Sequence, residues 1–108
     1  MIDYANFEKI DLRVGTILNA KPFPDAKKPA FQLEIDFGPL GIKKSSAQIT
    51  KRYAIEDLQG RQIIAVVNLG VKKIANFESQ CLVLGATEGN DVILLAPESP
   101  LPNGQQIL

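Results

Sequence analysis

A chain of 108 residues, 45% apolar and 22% charged with eight Gly and seven Pro, has the composition of one folded domain with many turns and lies far from the disordered and collagenous classes. Twelve cations balance twelve acids, so the whole molecule exerts no net pull on polyanions, and the absence of histidine removes the commonest general base and the commonest nitrogen ligand for zinc. The lone Cys81 excludes an intrachain disulfide and, inside the apolar run CLVLG, reads as a small buried hydrophobe.

The first segment, MIDYANFEKIDL, is charged from Asp3 onward and contains no apolar run of seven or more. Neither a signal peptide nor a membrane span is expected from it, and a cytoplasmic location is the default. LRVGTILNA then alternates, with Leu12, Val14, Thr16 and Leu18 predicted on one face and Arg13, Gly15, Ile17 and Asn19 on the other. Gly15 within it predicts a bend or bulge. FQLEIDF is a half-buried strand, Phe31, Leu33, Ile35 and Phe37 pointing inward and Gln32, Glu34 and Asp36 outward.

GIKKSSAQ supplies the third strand, and the following AQITKRYAIEDL is the one segment that reads as helical, on its marks Ile49, Tyr53 and Ile55. Three later runs, QIIAVVNL, CLVLGA and DVILLA, are apolar on both faces and so must be covered on both sides. Gly-, Pro-, Asn- and Asp-rich turns separate them. Five or six short strands at this interval predict an all-β fold: a five-stranded Greek-key barrel of the OB type, with a short helix between strands 3 and 4, spanning 1–108 as one domain. One small barrel has one interior. The surplus apolar face is therefore covered either by a homodimer interface or by the C-terminal segment APESPLPNGQQIL folding back.

Catalytic signals are absent. KKSS offers Ser beside Lys but no oxyanion turn or elbow motif, and the pairs Glu34/Asp36 and Glu56/Asp57 lack the alternating oxygens around Gly of a calcium loop. No enzyme activity, metal or cofactor is expected. The charge, however, is segregated. Phe37 through Ile55 carries Lys43, Lys44, Lys51 and Arg52 and no acid, whereas the residues before it carry a net −1 and those after it a net −3. Such a local field attracts polyanions even on a neutral molecule. Lys72 and Lys73 form a second cationic pair, and Tyr53, Phe77 and Asn68 are residue types suited to contacting bases beside a basic groove.

FEKIDLRVGTILNA, SSAQITKRY, VVNL, ESQCLVLGA and the closing PNGQQI, in this order, resemble the CsaA-like branch of the tRNA-binding-domain family over nearly the whole chain. The resemblance implies an OB-fold, dimerised through its N- and C-terminal extensions, that binds tRNA by shape and charge; the alternative is an export-related chaperone for unfolded or precursor polypeptides. Carried over by position, the resemblance assigns tRNA binding to Lys43, Lys44, Ser45, Ser46, Asn68, Lys72 or Lys73 and Ser79, which join Lys51 and Arg52. Cys81 and Leu82 stand where the tRNA-binding branch has Gly and Met, and SSAQ stands where it shows a Ser-Gly pair; both departures point to the CsaA-like branch. A peptide site on that branch would be an apolar patch lined by Phe23, Phe31, Ile49, Tyr53 and Phe77. No insertion into a membrane is implied.

Overall fold

The computed structural model describes residues 1–108. A four-residue helix, α1 (Tyr4–Phe7), precedes ten strands: β1 (Leu12–Pro22), β2 (Phe31–Asp36), β3 (Ile42–Ala47), β4 (Gln62–Val66), β5 (Lys72–Ile74), β6 (Phe77–Ser79), β7 (Leu82–Val83), β8 (Gly85–Glu88), β9 (Asp91–Leu94) and β10 (Gln106–Ile107). The main sheet has the order β3-β2-β1-β4-β7, all antiparallel, with β10 added to the start of β1. Besides β10, β1 serves two neighbours: Leu12–Thr16 pairs with β4, and Thr16–Pro22 pairs with β2. This doubling curls the sheet, and the segment Ser79–Cys81 lies against β3 to close it, as an OB barrel requires. No helix is long and apolar enough to cross a membrane.

Alternation explains β2 as read: Leu33, Ile35 and Phe37 are fully buried while Glu34 is exposed. β1 keeps its predicted faces as far as Leu18: Ile17 is buried on the side of Gly15, and Leu18 is exposed on the other. The pairing register then slips between Ile17 and Asn19, so Ala20, not Asn19, shares the inward face of Ile17. A one-residue slip reverses every later face. Gly15 sits before this bulge for a steric reason. A Cβ there would lie 2.6 Å from Ile35 Cγ2 and 2.7 Å from the Phe37 ring.

The helix expected between the third and fourth strands is a single 3-10 turn, Ile55–Asp57, preceded by a turn at Thr50–Arg52. Ile49, Tyr53 and Leu58 are buried in the barrel, and it is this burial, not a helical repeat, that spaces them. The C-terminus does fold back, but onto β1. Gly104 N–H donates to Val14 O at 2.7 Å, and Gln62 exchanges two bonds with Leu101. The doubly apolar later strands stay partly bare: Leu82 is 49% and Ile93 50% exposed, next to Leu69 at 63% and Val71 at 59%.

Candidate nucleic-acid interface

The basic segment does not form one patch, because its residues alternate across β3 and then turn away. Ser45 and Ala47 face inward. Ser45 is fully buried, its hydroxyl donating to Cys81 O at 2.8 Å. Ser79 is buried too and accepts the Ser46 N–H at 3.0 Å. Gln80 completes the seam, its N–H donating to Lys44 O and its side-chain oxygen accepting Lys44 N–H, both at 2.8 Å. The two serines therefore close the barrel. The sequence signals their position only by the parity they share with Ala47 and Cys81.

Lys44 points outward from this seam, into a shallow hollow of about 260 Å³ that Asn19, Lys21, Gln32, Glu34 and Phe77 also line. Its ammonium lies 5.3 Å from the centre of the Phe77 ring, and that ring also packs on Phe23 at 5.3 Å. β6 runs beside β3 and pairs with β5, Lys72 opposite Ser79 and Lys73 opposite Glu78, so the two lysines point to opposite faces of this ribbon. Lys21, a member of this surface, was not among the predicted residues because its face depends on the β1 bulge.

A larger open groove of about 1150 Å³ runs between the Ser46–Lys51 segment, the Leu69–Lys72 segment and the β7–β9 strands. Lys28, Lys51 and Lys72 are its cations, no carboxylate lines it, and Ile49, Val71, Leu82 and Val92 supply apolar floor. Arg52 is bound elsewhere. Its Nη2 and Nε donate to the Asp91 carboxylate at 2.6 and 2.9 Å, which raises the pKa of the guanidinium and lowers that of Asp91. Asn68 is a clamp: its Oδ1 accepts the Asp11 N–H at 2.9 Å and its Nδ2 donates to Lys9 O at 2.7 Å.

The apolar candidates also separate. Phe23 and Phe77 share the outer side of the barrel, with Phe31 partly buried on β2. Ile49 forms part of the groove floor. Tyr53 is a core residue with Arg61 over its ring at 5.0 Å and its hydroxyl accepting the Leu94 N–H at 3.0 Å. Cys81 is buried, and desolvation pushes its thiol up to about 11.

This closed, five-stranded arrangement with added strands belongs to the OB-fold class of small β-barrels, which includes oligonucleotide binders. Residues 12–106 match the family model described as "Putative tRNA binding domain". The chaperone CsaA of Bacillus anthracis is 54% identical with a TM-score of 0.96, covering 100% of this chain and 99% of that one. CsaA of Picrophilus torridus is 50% identical with a TM-score of 0.94 over 100% of both chains. The methionine–tRNA ligase of Thermococcus onnurineus is 34% identical across 98% of this chain, which spans only 15% of that enzyme. The chain belongs to the tRNA-binding-domain family, in its CsaA-like branch.

Proposed function

We propose that this protein binds tRNA through the outer face of β3, β6 and β5, contacting the phosphate path of a folded RNA and leaving its bases unread. The observation that carries this reading is the gathering of Lys21 and Lys44 around one hollow whose aromatic ring is already occupied, with Lys72 and Lys73 on the neighbouring β5. Single-strand binders stack bases on open rings. Phe77 is engaged by Lys44 and Phe23, and Tyr53 is in the core, so charge and shape are what this face offers. Ser45, Ser46 and Ser79 act on the RNA indirectly, by fixing β3, while Asn68 fastens the N-terminal segment to the end of β4. Lys43 and Lys51 extend the field from the ends of the β3 segment.

A titration of unfractionated tRNA at two salt concentrations tests this reading. Each phosphate neutralised contributes about −0.7 to −0.9 to the slope of log K against log salt. Replacing Lys21, Lys44, Lys72 and Lys73 together by Ala is expected to flatten the slope by about 3, from four such contacts. Binding unchanged in slope and affinity would overturn the assignment.

The groove favours a second activity, capture of unfolded polypeptides, since its floor is apolar and its cations lie at Lys28, Lys51 and Lys72. The likeness to CsaA chaperones supports it. Ile49 belongs to this site and Tyr53 supports it from beneath; Phe23 and Phe77 belong to the RNA-facing side. Suppression of aggregation of an unfolded client, lost on Val71→Asp, is the expected result. A homodimer would cover the bare Leu69, Val71, Leu82 and Ile93, and sedimentation equilibrium reads that state directly.

A further inference from the structure

Arg52 and Tyr53 are consecutive, and both reach the β8–β9 hairpin. Tyr53 holds its root at Leu94, where both residues are buried. Arg52 holds its far end at Asp91, next to the exposed turn residues Gly89 and Asn90. The hairpin is a sheet of its own, fixed to the barrel at its root by Leu84 N–H to Ile64 O at 2.9 Å, where Leu95 N–H also donates to Leu84 O at 3.1 Å to join its two flanks. Gly85, Thr87, Gly89, Asn90 and Val92 line the large groove, as do Gln48–Lys51, just before Arg52. One ion pair therefore joins these two segments of its lining.

We infer that Asp91 is a built-in competitor for phosphate at Arg52, and that a phosphate-bearing ligand taking Arg52 releases the hairpin tip and widens the groove. The inference rests on the reading that the basic segment receives RNA phosphates. A phosphate offers the guanidinium the same two-oxygen fork as a carboxylate, with equal or greater charge. The side chains of Arg52 and Asp91 are 44% and 28% exposed, so the pair is screened by salt and exchangeable, unlike a buried one. In the hairpin register Glu88 stands directly opposite Asp91. Two acids facing each other across strands repel. Arg52 relieves that repulsion, and once it is drawn away only the nearby Lys51 remains to offset it.

The test follows amide hydrogen exchange over residues 86–93 together with tRNA titrations. Asp91→Asn without ligand is expected to speed exchange there by about 1.5- to 5-fold, the range an exposed pair supports. The same variant is expected to bind tRNA more tightly, with a salt slope steeper by about 0.7 to 0.9. That gain should vanish in an Arg52→Ala background. In the wild type, saturating tRNA is expected to speed exchange at 86–93 while leaving the amide of Leu94 protected. A gain that persists without Arg52, or wild-type exchange that tRNA leaves unchanged or slows, overturns the inference while tRNA binding stands. Failure of the wild type to bind tRNA at low salt removes the proposed function and the competitor role with it; unchanged exchange in Asp91→Asn would separately remove the tether.

Discussion

The ammonium of Lys44 lies 5.3 Å from the centre of the Phe77 ring, and the same ring rests on Phe23, so an aromatic side chain on the proposed RNA face serves the protein itself. A ring that stacked a base would contribute about 1 to 3 kcal/mol per base. Phe77→Leu is instead expected to change tRNA affinity by less than about 3-fold, below the lower end of that stacking range. Lys44→Met keeps the apolar stem against Phe77 and deletes the charge. It is expected to flatten the salt slope by about 0.7 to 0.9. Filter-binding titrations at two salt concentrations distinguish the two variants, and a large loss with Phe77→Leu would restore base stacking.

Ser45 tests whether the serines of the basic segment touch ligand or hold the barrel. Its hydroxyl is fully buried and donates to Cys81 O, for which the other hydroxyl in range is Ser79 Oγ, at 3.5 Å. Ser45→Ala leaves that carbonyl poorly satisfied, at an expected cost of about 1 to 3 kcal/mol in urea denaturation. The tRNA affinity of the folded variant should stay unchanged. Weaker binding without a loss of stability would place Ser45 at the interface.

Where local pattern and tertiary structure agree, the fold was legible. Leu33, Ile35 and Phe37 could be assigned from period two alone because β2 is regular. Asn19 leaves the face of Ile17, and Ala20 takes it, because the β1 bulge depends on a pairing register that alternation does not encode. Ile49 and Tyr53, four apart, imitate one helical face, yet both are buried by contacts with distant strands, such as the Tyr53 hydroxyl with Leu94 N–H. The cations were visible as charge, but their directions were not. Arg52 is matched to an acid 39 residues away, and Lys21 reaches the surface of Lys44 only through the bulge.

Asn68 has the residue type of a base reader but the geometry of a clamp, bonded to Asp11 and Lys9 while Val67 N–H donates to Asp11 O at 3.0 Å. Asn68→Ala deletes two bonds that fasten the N-terminal segment to the end of β4. Both are exposed to solvent, so the expected cost is about 1 kcal/mol. Faster hydrogen exchange at the amide of Asp11, with tRNA affinity retained, is the outcome that fits a clamp. Lost affinity with unaltered exchange would return Asn68 to the binding surface.

Cys81 gives the molecule an alkaline limit. Desolvation, the largest influence, raises its thiol from the ordinary 9.0 to about 11, outweighing the Ser45 hydrogen bond and the charge of Lys43. In the unfolded chain the thiol ionises at the ordinary value, so between about 9 and about 11 the unfolded state has lost a proton that the folded state keeps. The group's contribution is therefore complete below pH 9 and declines as pH rises toward 11. At about 1.4 kcal/mol per pH unit, this amounts to roughly 2 to 3 kcal/mol. Cys81→Ala is expected to lower stability at pH 7 through the cavity it leaves, yet to lose less stability than the wild type between pH 9 and 10.5. Equal slopes for the two proteins across that interval would show that the thiol ionises in the folded state as readily as in the unfolded one.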